Sequence, residues 1–196
     1  MQATTLSFEN MHNHGELFAN MLRARRETFI VRAQWDLPEA NGMEYDQYDT
    51  PASRWVVVHD ETGHVLASNR LTPTTAKCGI YSYMIRDAQR GLLDTIPSNL
   101  LYEEAPVSPD IWESSRLFVA HDVPANIRRT VHARLIKEIA VASRALGARI
   151  CLTLLAANWP RWAPRVGVDM TAMGPVMEID GVQNQVVAMN FAKQFH

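Results

Sequence analysis

A chain of 196 residues, 47% hydrophobic and 20% charged with a net charge of −2, has the size and apolar content of one globular domain able to bury a core without metal or disulfide staples. Cys78 and Cys151 allow at most one bridge and are read as reduced thiols; no close-spaced Cys/His set predicts a zinc site. The N-terminus lacks a basic start followed by an apolar run, and no stretch approaches the ~18 apolar residues of a membrane span, so a soluble, cytoplasmic protein is expected.

In chain order, Leu17, Phe18, Met21, Leu22, Phe29 and Ile30 recur at partly helical spacing and predict an amphipathic helix within residues 15–31, ended by Trp35-Asp36-Leu37-Pro38. The polar stretch from Ala40 to Pro51, interrupted by Gly42, reads as an excursion across the surface. Arg54 to His59 and Val65 to Leu71 flank Asp60-Glu61-Thr62-Gly63 and predict a hairpin. Trp112 to Ala120 predicts a further strand. A helix follows from about Asp122 to Leu146, with Pro124 in its first turn, an apolar stripe of Val131, Leu135, Ile139, Ala142 and Leu146, and Gly147 as its stop. Ile150 to Leu155 reads as a buried strand and residues 158–166 as a short helix. Thr171 to Glu178 is expected to pair with Gln185 to Phe191 across Asp180-Gly181. The expected fold is α/β (α+β), a single-domain mixed sheet clasped by helices, in the order of the acetyltransferase-like (GNAT-like) acyltransferases.

Charge is uneven. Residues 1–119 hold 10 Lys+Arg against 16 Asp+Glu (−6), and residues 120–196 hold 9 against 5 (+4). The basic part of the second portion includes Arg128, Arg129, Arg134, Lys137, Arg144 and Arg149, which reads either as a solvated helix face or as a surface for an acidic partner. Nucleic acid is not expected at a pI near 6.4. The seven histidines share no ligand spacing with carboxylates or cysteines, so no metal is expected.

Six blocks carry the functional signal: Arg25-x-x-x-Phe29; Trp35; Glu44-x-Asp46-x-Tyr48-Asp49; Arg70-Leu71-x-Pro73-Thr74; Ser82-Tyr83-Met84-Ile85-x-Asp87; and Pro109-x-x-Trp112-Glu113-x-Ser115-Arg116. Their order and spacing resemble the N-acyl-homoserine lactone synthases, the LuxI-type autoinducer synthases of bacterial quorum sensing. The resemblance implies one autoinducer synthase domain over residues 1–196. It also implies a two-substrate reaction: the amine of S-adenosylmethionine attacks an acyl thioester carried on acyl carrier protein or on CoA. The methionyl carboxylate then closes on the γ-carbon and expels methylthioadenosine. S-adenosylmethionine is a substrate, and no tightly bound cofactor is expected.

Under that resemblance each residue type has a task. A carboxylate is needed to take a proton from the amine, with Glu113 the first candidate and Asp46 the reserve. The aromatic faces of Phe29 and Trp35 suit a sulfonium. The guanidinium of Arg25 or Arg116 suits the substrate carboxylate. Asp46, Asp49 and Arg70 are expected to form a charged cluster shaping the pocket, and Arg128, Arg129 and Arg149 to dock the acyl carrier. Taken one at a time, the aromatics would be core residues, and Glu44, Asp46 and Asp49 a solvated acidic loop. Glu113 and Arg116, three apart, point to opposite faces of a regular strand, so a bulge or strand end near Ser114-Ser115 is required for both to reach one pocket.

Some positions depart from the family pattern. Gln89 stands near a position usually aromatic, Leu155 follows Thr153 where a second threonine is linked with 3-oxo acyl groups, and Asn158-Trp159-Pro160-Arg161-Trp162 is rich in tryptophan. Two other readings compete. A general acetyltransferase-type N-acyltransferase using acyl-CoA would need a glycine-bearing phosphate turn, which Arg128-Arg129-Thr130-Val131-His132-Ala133 lacks. A catalytically silent relative that binds S-adenosylmethionine or carrier protein is disfavoured by the presence of Glu113 and Arg116.

Overall fold

The computed structural model describes residues 1–190. In chain order the elements are β1 (Gln2–Leu6), α1 (Leu17–Arg26) continued by a wider π-helical turn (Glu27–Arg32), β2 (Glu39–Ala40), β3 (Met43–Glu44), β4 (Arg54–His59) and β5 (Val65–Pro73). There follow α2 (Met84–Gln89), β6 (Ile111–Val119), α3 (Ala125–Ala145), β7 (Ile150–Ala156), β8 (Asp169–Ala172), β9 (Met177–Ile179) and β10 (Val182–Asn190). No helix among the described residues is long and apolar enough to cross a membrane.

The described residues form two compact units, one of residues 1–71 and 116–142, the other of residues 72–115 and 143–190. In the first, β4 and β5 make the expected hairpin, pairing Arg54 with Leu71 through Val58 with Ala67, and a shift at His59 marks a bulge. The run Val56, Val57 and Val58 is fully buried because both faces of β4 are covered. The polar segment QATTL, not predicted as a strand, adds to the other edge of β4 as β1, in register Gln2 with His59 to Leu6 with Trp55. Trp55 meets Phe18 and Phe8 edge to face at 4.9 and 5.6 Å, and the two phenylalanine rings lie tilted at 5.9 Å. Helix α3 buries Val131, Leu135 and Ile139, as its 3.6-residue period requires.

In the second unit β6 runs parallel to β7 only from Ile111 to Glu113, and β7 pairs antiparallel with β10 along its whole length, so this sheet is mixed. Its core is Tyr83, Ile85, Leu100, Leu152 and Val186, all at most 1% exposed. Gln89 ties the segment beside α2 by bonding the Glu103 carbonyl and the Ala105 N–H, both at 2.8 Å. The expected single strand from Thr171 to Glu178 is two: β8 and β9 each pair with β10, the Met173 N–H still bonds the Val186 carbonyl at 2.8 Å, and Gly174 to Val176 break away between them. Gly174-Pro175 explains the break, since proline cannot donate to a ladder. Phe191, the expected end of the last strand, lies outside the described residues. Cys78 is exposed and Cys151 buried, both as free thiols; burial pushes the Cys151 thiol up to about 12. The short helix expected within residues 158–166 is two 3₁₀ turns, Trp159–Arg161 and Ala163–Val166.

Gly174 is fixed by contact rather than by backbone conformation: a Cβ there would lie 1.9 Å from the Leu100 carbonyl oxygen and 2.7 Å from its carbon. Gly174→Ala should therefore force the Leu100–Leu101 backbone outward and lower stability by about 2 kcal/mol, the usual range for overpacking. A urea melt with an unchanged midpoint would show that this backbone yields freely.

Candidate functional site

Three arginines and three carboxylates are buried together in the first unit. Arg25, on α1, is 1% exposed. It donates from Nε to Glu44 at 2.5 Å and in two-pronged fashion from Nη1 and Nη2 to Asp49 at 2.8 and 3.0 Å. Arg70, on β5 and fully buried, grips Asp46 with two bonds of 2.5 and 3.1 Å and also reaches Asp49 at 3.0 Å. Arg116, on β6, donates from Nε to Glu44 at 3.2 Å and lies with Nη2 2.9 Å from Asp46. Backbone donors complete the set: the Asp46 N–H to Asp49 and the Tyr48 N–H to Asp46, both at 2.9 Å. The Trp55 indole N–H also donates to Asp49, at 3.1 Å.

Three charges of each sign cancel, which is what allows them to leave water. Burial works to raise the Asp49 carboxyl, but Arg70 and then Arg25 outweigh it and hold the group well below the usual carboxylate range. Asp46 is likewise lowered, by Arg70 and Arg116 against the effect of burial. Burial lowers the Arg116 guanidinium below its ordinary value. The acidic block from Glu44 to Asp49 is thus no solvated loop, and the surface excursion expected from Ala40 to Pro51 folds inward at Glu44, Asp46, Tyr48 and Asp49.

Beside this network the π-helical turn widens the end of α1, with the Ala33 N–H bonding the Thr28 carbonyl and the Trp35 N–H bonding the Phe29 carbonyl. Phe29 and Trp35 are thereby stacked, centroids 5.1 Å apart and planes 14° apart, and Phe118 meets Phe29 edge-on at 5.8 Å. Arg116 lies 5.5 Å from the Phe29 centroid and 6.0 Å from that of Trp35. These three separations make a nearly equilateral triangle, so the guanidinium sits beside the offset stack. Trp35 is 40% exposed and Phe29 7%. Among the described residues the Arg116 Nη1 has no hydrogen-bond partner, whereas each of the three nitrogens of Arg25 bonds Glu44 or Asp49. Of the two arginines considered for a substrate carboxylate, Arg116 is the one with a nitrogen left without a partner, and its side chain is the more exposed, 10% against 1%.

Next to Ser114-Ser115, where a bulge or strand end was expected, Arg116 has φ 52°, a left-handed conformation that costs a non-glycine residue roughly 1–3 kcal/mol. Glu113 belongs to the second unit. It is fully buried, and its two oxygens accept the N–H groups of Met84 at 3.2 Å and Ile85 at 2.8 Å, at the start of α2. The Tyr83 hydroxyl donates to the Pro106 carbonyl at 2.6 Å and is held above its ordinary pKa by burial and then by Glu113.

The three arginines expected on a docking face fare differently. Arg128 folds back onto backbone carbonyls, Arg129 is exposed, and Arg149, in the second unit, lies 3.9 Å from Asp110. Sequence reading missed Glu44 as a site residue, although its spacing two before Asp46 was the available signal. It also missed Tyr48, whose ring lies 5.6 Å from the Arg70 guanidinium carbon.

A family model described as autoinducer synthase matches residues 8–192. The chain belongs to the autoinducer synthase family. Among its relatives, the acyl-homoserine-lactone synthase of Vibrio anguillarum is 32% identical over 56% of this chain and 51% of that protein. The synthase of Acinetobacter nosocomialis is 29% identical over 89% and 91%. The fold is that of solved synthases. TofI in a ternary complex with an inhibitor and MTA has a TM-score of 0.77 at 24% identity, over 97% of this chain and 92% of that one. The CoA-dependent synthase BjaI with SAM and isopentyl-CoA has a TM-score of 0.76 at 20% identity, over 97% and 83%. An acyl-CoA N-acyltransferase from Pseudomonas aeruginosa is similar at a TM-score of 0.57 and 15% identity, over 96% and 97%, which places the autoinducer synthase fold beside the acetyltransferase-like architecture.

Removing one partner from a buried ionic cluster leaves charge without compensation. Arg25→Ala should cost about 3–5 kcal/mol in denaturant unfolding; a loss under 1 kcal/mol would mean that Glu44 and Asp49 find other partners. Because Asp46 and Asp49 are depressed in the folded state, their contribution is complete above the unfolded carboxylate pKa of ~3.9 and is lost as pH falls further. Stability measured between pH 5 and 2 should decline steeply in the wild type and more shallowly in an Asp49→Asn variant.

Proposed function

We infer from family membership and from the aromatic and arginine corner that the protein is an acyl-homoserine-lactone synthase, an acyltransferase of quorum sensing. It acylates the amine of S-adenosylmethionine and closes the lactone with release of methylthioadenosine. The observation that carries this reading is the Phe29–Trp35 stack beside an arginine that retains an unpaired donor. A ligand carrying a carboxylate and a sulfonium fits such a corner: the carboxylate meets Arg116, and the sulfonium lies against the exposed face of Trp35. Arg25, Arg70, Glu44, Asp46 and Asp49 hold Arg116 at fixed position and charge. The whole chain acts as one synthase domain.

Proton removal from the amine is assigned to Glu113. Asp46, the reserve, is the weaker candidate, since two guanidinium groups stabilise its charged form and lower its basicity. Glu113 is held in a fixed orientation by its two backbone N–H donors. The acyl donor is a thioester of acyl carrier protein or of CoA; exposed Arg129 and Arg149 are the remaining candidates for carrier docking. A general N-acyltransferase is disfavoured by the match to the synthase family over nearly the full chain.

Two measurements test these roles. Trp35→Leu should weaken S-adenosylmethionine binding roughly 3- to 30-fold in calorimetry, as expected for loss of a cation–aromatic contact. S-adenosylhomocysteine, a neutral thioether, should be weakened much less; equal losses would remove the sulfonium from Trp35. Glu113→Gln should retain S-adenosylmethionine binding and lose product formation by about 100-fold or more. Unchanged turnover would remove Glu113 from the mechanism.

A further inference from the structure

Arg128 stands in the first turn of α3, where the helix dipole disfavours a cation. Its guanidinium turns back onto four carbonyl oxygens of the segment just before the helix. Nη1 donates to Ala120 at 3.0 Å, His121 at 3.3 Å and Val123 at 3.4 Å, and Nη2 donates to Val119 at 3.2 Å. Carbonyls that leave a strand end and turn into a helix have no ladder partners, and one planar guanidinium with several donors satisfies them together. The segment so held directly follows Phe118, whose ring packs edge-on against Phe29, and it ends the same strand that carries Arg116. The turn has further ties: the Ala120 N–H to the Leu66 carbonyl at 2.8 Å, His64 to Asp122 at 3.0 Å, His121 to Glu27 at 4.0 Å and the Val123 N–H to the Ala120 carbonyl at 3.3 Å; of these the last alone engages a carbonyl that Arg128 holds.

We propose that Arg128 is a positioning residue for S-adenosylmethionine: by clamping the Val119–Val123 turn it fixes Phe118, and through Phe118 the face of Phe29 on which the aromatic corner is built. This role rests on the reading that S-adenosylmethionine binds at that corner. It replaces carrier docking, the role suggested by the residue's charge alone. Arg116, two residues before Phe118, is held in register by the same clamp, so the clamp acts on both halves of the corner.

The test uses full-length Arg128→Ala and Arg128→Lys. Binding of S-adenosylmethionine is measured by calorimetry well below the melting temperature, and KM is measured for both substrates. Arg128→Ala should raise the S-adenosylmethionine Kd about fivefold, near the value of one net hydrogen bond. The KM for the acyl donor should stay unchanged. Arg128→Lys, a single point charge that reaches fewer carbonyls, should fall between Ala and wild type. A lowered melting temperature with unchanged Kd would overturn the proposal in favour of a purely stabilising clamp. A raised, salt-sensitive KM for acyl carrier protein with unchanged S-adenosylmethionine Kd would overturn it in favour of docking. Trp35→Leu, measured alongside, separates the two levels: if it too binds S-adenosylmethionine normally, the corner is not the binding site and the role of Arg128 falls with it. If only Arg128→Ala binds normally, the corner stands and Arg128 alone is misassigned.

Discussion

Everything in the first unit is arranged around the buried exchange of charge between Arg25, Arg70 and Arg116 and Glu44, Asp46 and Asp49. Isolated, any one of these six groups would cost several kcal/mol to remove from water. Together they satisfy one another through two-pronged contacts, and donors from Asp46, Tyr48 and Trp55 add further bonds to the same oxygens of Asp46 and Asp49. Such a cluster is a poor source of net stability compared with a hydrophobic core of equal volume. Its value is geometric: α1, the turn containing β3, strand β5 and strand β6 must meet in one arrangement for the charges to cancel. The arginine placed at the edge of the cluster is therefore held at a fixed point and a fixed charge.

That arginine is also where the backbone departs from regular geometry. Arg116 is left-handed in the middle of a strand, and Phe29 lies on a π-helical turn. Both departures cost free energy locally and persist because the surrounding contacts over-determine them. They share a consequence: the guanidinium of one and the ring of the other come within 5.5 Å, beside the half-exposed Trp35. Preorganisation of this kind spends folding energy so that ligand binding need not. In the second unit Glu113 follows the same logic, a buried carboxylate fixed by two backbone N–H groups.

The regular elements were legible in the sequence where one physical signal dominated. Helix α3 has an apolar stripe at 3.6-residue spacing and Gly147 after it, and the β4–β5 hairpin has β-rich runs about a turn; both stand as expected. Strand β1 was not legible because QATTL is polar at an edge and is selected by pairing with β4 rather than by its own pattern. The last strands were misjudged because Gly174-Pro175 was read through as strand although proline cannot donate to a ladder, and the close approach of Gly174 to the Leu100 backbone is a tertiary contact. At the site, order and spacing singled out Arg25, Phe29, Trp35, Asp46, Asp49, Arg70 and Arg116, which lie together. Composition alone pointed the wrong way for the acidic block, since carboxylates usually mean solvent. Only the three arginines, distant in sequence, reverse that rule. Arg128 shows the converse, a residue whose charge suggested a partner and whose bonds are to its own chain.

Purified protein would be incubated with S-adenosylmethionine and a mixed pool of acyl-carrier-protein and acyl-CoA thioesters, and the products followed by mass spectrometry. An acyl-homoserine lactone and methylthioadenosine should appear together in equal amounts. An acylated amine formed without methylthioadenosine would contradict the synthase reading, because acyl transfer would then proceed without lactone closure.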